Sequence, residues 1–141
     1  MALVQLIYTS RLNSKDESVL EPIHASAMRH NKSNSITGML LYNKGYFLQV
    51  LEGAPEDVLT TYHRICHDTR HQEIRLLVEQ ITMDRHFPNW LMGFCRIQEA
   101  DAITYPEYAP YFKEGFGGAE IYATPGIALR MLQAFNRNVL S

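Results

Sequence analysis

ITGMLLYNKGYFLQVLEG, residues 36–53, decides how the rest of this chain folds. Two apolar runs flank Asn43-Lys44-Gly45, residues that tolerate positive φ, so the stretch predicts a β-hairpin with strands over 36–42 and 46–51. Gln49 stands inside the second run, between Leu48 and Val50. Side chains alternate along a strand, so Gln49 shares a face with Phe47 and Leu51. A buried amide without a partner costs roughly 1–3 kcal/mol, so something polar must meet it. That partner is either a backbone group or buried water, or the polar edge of a ligand.

Toward the N-terminus, residues 3–9 (LVQLIYT) read as a strand with Val4, Leu6 and Tyr8 on one face. Ser18-x-x-Glu21 fits a capping box and predicts a helix from about 18 to 29, with Val19, Ile23 and Ala27 at helical spacing. Pro22 falls just past the first turn of that helix, late for a proline. Residues 30–34 are a turn cluster. Toward the C-terminus, Ala54-Pro55-Glu56-Asp57 opens a second helix, in which Val58, Leu59, Tyr62, Ile65 and Cys66 make an amphipathic stripe to about residue 69. Strands follow over 74–83 and 90–97, and on the last one Trp90, Met92 and Phe94 share a face.

The order predicts an α+β, ferredoxin-like βαββαββ sandwich, both helices on one sheet face and the first and third strands parallel. The other face needs a cover. The C-terminal residues supply one: 102–113 with Ile103, Tyr105, Tyr108, Tyr111 and Phe112, a flexible link at 115–118, and a final helix over 124–138 with Ala128, Met131, Leu132 and Phe135. The expected division is 1–98 for the sandwich and 99–141 for a helical extension.

Composition excludes several classes. An apolar content of 46% with 20% charge over 141 residues is that of one globular domain. The net charge of −2 gives no electrostatic case for nucleic acid or an anionic membrane. There is no apolar run long enough to span a bilayer and no basic leader, so the expected setting is the cytoplasm. Cys66 and Cys95 read as reduced thiols. His63, His67 and His71 recur at i, i+4, i+8, but without matching ligands they read as a solvated helix edge rather than a metal site. Nucleotide-binding glycine motifs and hydrolase motifs are missing, so the chain reads as no enzyme.

A few polar residues remain as site candidates. Tyr8 is a phenol within an apolar strand, predicted to lie beside Gln49 on a neighbouring parallel strand and to face the helices. Asn31 offers an amide at the end of the first helix. Arg64 and Asp68 are spaced as an i, i+4 pair on the second helix, with Arg70 and His71 beyond its end. The rival reading is a small acylphosphatase-like enzyme using Arg11 and Asn31 on a phosphate.

Five stretches together resemble the BLUF domain family: LIYTS at 6–10, HNKSNSITGMLLY at 30–42, FLQVLEG at 47–53, YHRICHDTRH at 62–71 and NWLM at 89–92. The resemblance implies a blue-light receptor binding FAD non-covalently between the two helices, with FMN or riboflavin as possible substitutes. It further implies that Tyr8 donates an electron and then a proton to the excited flavin, and that Gln49 bridges Tyr8 and the ring. Asn31 would bind the polar edge of the ring, and Ile23 and Ile65 would pack on its faces. His30 occupies a contact position where asparagine is also common. Arg64, Asp68, Arg70 and His71 fall where family members contact the ring or its ribityl–phosphate tail. Trp90 and Met92 match the pair that passes the signal outward, although Leu91 and Gly93 beside them differ from the usual polar residues. A stand-alone chain of this kind implies a separate signalling protein as partner, and self-assembly into a homo-oligomer.

Overall fold

The computed structural model of the protein describes residues 2–136. Strand β1 (Leu3–Leu12) leads through a short 3-10 turn (Glu17–Val19) into helix α1 (Leu20–Ser33). The hairpin strands β2 (Thr37–Asn43) and β3 (Tyr46–Gly53) follow, then α2 (Pro55–Cys66), β4 (His71–Thr82) and β5 (Gly93–Arg96). The hairpin turns through Lys44 at φ 51° and Gly45 at φ 88°, two positive-φ positions in succession that match the twist of the strands.

The sheet order is β4-β1-β3-β2-β5. The hairpin folds β3 back between β2 and β1, so β3 runs antiparallel to both. The expected parallel pairing of the first and third strands is thus wrong, because the crossover through α1 makes β1 parallel to β2 and the inserted β3 opposes each. β4 is antiparallel to β1 and β5 is parallel to β2. This is the ferredoxin-like α+β arrangement with one added strand.

Helix ends differ from the sequence reading for local reasons. The side chain of Asp16, not Ser18, caps the entry, accepting from the Ser18 amide at 3.0 Å. The α-helix proper starts at Leu20, which places Pro22 in the first turn, where an amide hydrogen has no intrahelical partner to lose. At its other end α1 continues to Ser33, and Ser35 at φ 54° reverses the chain. α2 stops at Cys66, with Cys66 and Leu59 on its solvent side and Thr61 buried in their place.

The two sheet faces carry separate cores. Leu6, Tyr8, Leu40, Phe47 and Leu51 pack under α1 and α2, against Leu20, Ile23, Val58 and Ile65. Ile7, Met39, Leu41, Leu48 and Val50 face the C-terminal residues. Those residues fold as α3 (Asp101–Thr104), α4 (Ala109–Phe112), a short extended piece β6 (Lys113–Phe116), α5 (Ala119–Ala123) and α6 (Gly126–Phe135). Phe112, Phe116, Met131, Leu132 and Phe135 fill this second core, whereas Ile103 is 83% exposed. The expected flexible link at 115–118 is in fact packed: a Cβ at Gly115, which sits at φ 66°, would come within 2.4 Å of the Tyr46 ring. Small residues are there because an aromatic ring lies on them, not to allow motion. The end of the last predicted helix, at 138, lies outside the described residues. Among the described residues no helix is long and apolar enough to cross a membrane.

Candidate functional site

Tyr8 and Gln49 face each other directly across β1 and β3. Both are buried, at 0% and 4% exposure. Antiparallel pairing brings their side chains onto one spot of the helix-side face more closely than the diagonal neighbours of a slipped register. The Tyr8 hydroxyl is buried without a hydrogen-bond partner. Burial, with the Tyr62 phenol next in weight, pushes its pKa well above the ordinary value. The Tyr62 ring from α2 meets it edge-on, centroids 5.1 Å apart. Gln49 Nε2 points at the thioether of Met92, 3.7 Å away.

A narrow cleft opens beside Gln49 between α1 and α2, its side chains closed in to leave a free volume of about 20 Å³. Ile23 and Ala27 of α1 and Ile65 of α2 are its apolar walls, and Leu40 lines its sheet side. Asn31, Gln49, Arg64, Asp68, Arg70 and His71 supply the polar lining. Asn31, at the buried end of α1, donates from Nδ2 to the Leu91 carbonyl at 2.6 Å. Ser26 and Leu40 also line the cleft, and the sequence reading did not name them for it; only the i, i+3 relation of Ser26 to Ile23 could have pointed to the first.

The charged residues at the mouth are arranged differently from expectation. Because α2 ends at Cys66, Arg64 and Asp68 are not a helical i, i+4 pair. Asp68 instead takes a bidentate grip from Arg70, with Nη2–Oδ2 at 2.7 Å and Nε–Oδ1 at 3.0 Å. That guanidinium holds the Asp68 carboxyl at about 2. His71 begins β4 and turns inward, its Nδ1 3.1 Å from Ser10 Oγ and its ring 4.9 Å from that of Phe47. Burial lowers its pKa to about 4, so the ring is neutral. It therefore leaves the solvated series with His63 and His67. His30 is exposed and outside the cleft lining, although Arg64 and Arg70 are close enough to lower its pKa after desolvation.

Trp90 and Met92 do not line one face of a strand. Strand pairing starts only at Gly93, because the preceding loop is tied elsewhere: buried Glu52 accepts from the His86 and Phe87 amides, and Arg85 donates to the Ser35 and Glu52 carbonyls. Met92 is buried beside Gln49, whereas the Trp90 indole Nε1 donates to Asn136 Oδ1 at 2.7 Å, past the end of α6. The pair thus spans from the helix-side face to the C-terminal cover. Arg11, the other half of the phosphate reading, is exposed at the end of β1 and paired with Glu73 at 3.5 Å, away from Asn31. Among the described residues no cluster of three or more histidine, cysteine or acidic residues could hold a metal ion.

Comparison with known proteins agrees with this geometry. A family model described as "BLUF: Sensors of blue-light using FAD" matches residues 3–93. The chain is similar to the blue light- and temperature-regulated antirepressor BluF of Escherichia coli (strain K12), 39% identical over 60% of this chain and 21% of that protein. It is also similar to the photoactivated adenylate cyclase subunit beta of Euglena gracilis, 32% identical over 86% of this chain and 14% of that one. The chain thus spans about a fifth or less of the length of these curated relatives. Among solved structures, the dark state of the BLUF protein BlrB superposes with a TM-score of 0.73 at 28% identity, over 92% of this chain and 96% of that one. The chain belongs to the BLUF family of blue-light flavin sensors; the acylphosphatase reading has no support.

Proposed function

We propose that this chain is a blue-light receptor, and not an enzyme, that holds FAD in the cleft between α1 and α2 and acts on a separate protein. The observation that carries the reading is the orphaned Tyr8 hydroxyl. An unpartnered buried hydroxyl costs roughly 1–3 kcal/mol, and such a cost directly across the sheet from Gln49, which lines the cleft, points to a ligand or a switch. The chemistry of the cleft lining fits a flavin: its walls are aliphatic, and the Asn31 and Gln49 amides line one side. When bound, a flavin supplies blue absorption and an excited state able to take up an electron and then a proton.

Each residue has a part in this. Ile23 and Ile65 sandwich the planar ring, and Asn31 positions its polar edge while keeping Nδ2 on Leu91. Tyr8 keeps its proton on Oη in the dark, because burial disfavours the phenolate. Gln49 offers Tyr8 either its acceptor, Oε1, or its donor, Nε2, depending on the orientation of one amide. The two orientations form a bistable element, and Met92 reads which end of the amide points its way. Arg64, Arg70, Asp68 and His71 hold the ring rim and the tail, and the exposed His30 contributes only at the mouth. Residues 1–98 bind the cofactor and 99–141 carry the signal, through Trp90 and α6, to a partner protein or a further copy of the chain in the cytoplasm. Relatives support an output of this kind, since they join the domain to an antirepressor or a cyclase.

The test is the absorption spectrum of the purified protein before and after blue light. The expected result is a structured flavin band that moves red by a few nanometres and returns in the dark. A colourless protein that takes up no added FAD, FMN or riboflavin would overturn the reading.

A further inference from the structure

Three successive carbonyl oxygens hold the segment between Trp90 and Met92. The Gly38 amide donates to Trp90 O at 3.1 Å, Asn31 Nδ2 to Leu91 O at 2.6 Å, and His24 Nε2 stands 2.5 Å from Met92 O. The first donor is backbone of β2; the other two are side chains of α1. A carbonyl only accepts, so the His24 ring carries a proton on Nε2. The ring also rests on Phe94, with centroids 5.4 Å apart.

Met92 is therefore held at both ends. Its carbonyl is bonded to α1 through His24, and its sulfur lies 3.7 Å from the Gln49 amide. Ile23, the residue before His24, is a wall of the cleft. A displacement of the α1 wall by whatever the cleft contains thus carries His24, and with it the backbone of Met92.

We propose that His24 is a positioning residue, whose Nε2–H clamps the Met92 carbonyl and so sets where the Met92 thioether meets the Gln49 amide. The inference deepens the photoreceptor reading of the cleft and rests on it. Without the clamp, the segment keeps two of its three anchors and loses the one on Met92 itself.

The test uses three variants. His24→Leu removes the donor but keeps bulk against Phe94. His24→Gln is long enough to bring an amide N–H to Met92 O, and His24→Asn is too short. Two readouts apply to each: backbone hydrogen exchange of the segment around 90–94, and the rate of dark return after blue light. Leu and Asn are expected to speed exchange in that segment alone and to change the dark-return rate about fivefold, the effect of one ordinary hydrogen bond. Gln is expected to restore both. Wild-type exchange and rate in the Leu and Asn variants would overturn the clamp. So would a Gln variant that behaves like Leu, because packing on Phe94 rather than the N–H would then hold the segment. A wild-type protein that takes up no flavin would defeat the photoreceptor reading, while the exchange measurement would still decide the clamp.

Discussion

The two faces of the sheet each carry a buried apolar core but treat their polar groups differently. On the face covered by the C-terminal residues, each buried polar side chain has a partner. Thr9 Oγ1 meets Tyr122 Oη at 2.6 Å, Asn43 donates to the Phe112 carbonyl at 2.8 Å, and Gln5 donates to Glu52 at 2.9 Å. On the face under α1 and α2, the Tyr8 hydroxyl and the Thr61 hydroxyl have none, and these are the unpartnered buried side-chain atoms among the described residues. A face whose polar atoms are all matched is scaffold. A face that leaves a phenol unmatched beside a cleft has given up some stability for chemistry.

The largest effect that can break this contrast lies on the matched face. Phe135 is fully buried there, 4.7 Å from the Tyr105 ring and 5.8 Å from that of Phe112. Phe135→Ala should lower unfolding stability by about 3–5 kcal/mol, measured by denaturant titration. Flavin affinity of the folded fraction should hardly change. A large affinity loss with little stability loss would show that the cover is part of the site.

This division into faces was legible in the sequence, because strand alternation alone sets Tyr8 with Leu6, and Gln49 with Phe47 and Leu51. The hairpin was legible from Lys44-Gly45, and Ile23 and Ile65 from helical spacing. Strand direction was missed, since periodicity does not say on which side of β1 a returning hairpin lands. Trp90 was misplaced because its surroundings are fixed by long-range bonds, from Glu52 and Arg85 to the loop and from Asn136 to the indole, that leave no periodic trace. Asp68 found Arg70 rather than Arg64 for a similar reason: one helix end moved by a few residues redirects a whole side chain. Gly115 and Gly117 look like a linker in sequence and are a seat for Tyr46 in space.

A second effect sharpens the contrast through pH. The folded pKa of His71 lies at about 4 against an ordinary 6.5, so as pH falls the unfolded chain takes up this proton first. The stability associated with a neutral His71 is complete above pH 6.5 and should decline between pH 6.5 and 4, by at most roughly 3 kcal/mol. Asp68, held at about 2 against 3.8, contributes in a lower window, lost as pH falls from 3.8 to 2. Thermal unfolding of flavin-free protein across this range should show the upper slope shrink in His71→Gln while the lower slope remains. An unchanged upper slope would remove His71 from the account.

The smallest effect on stability belongs to the residue on which the proposed function rests. Tyr8→Phe deletes a hydroxyl that bonds to nothing, so the flavin-free protein should unfold within about 1 kcal/mol of wild type, or be slightly more stable. The direct test of the central claim is the light-minus-dark absorption spectrum of this variant loaded with flavin. The expected result is a normal dark band and no red-shifted product on illumination. A Tyr8→Phe protein giving the wild-type shift would contradict the claim that the unmatched phenol is what the fold is built to present.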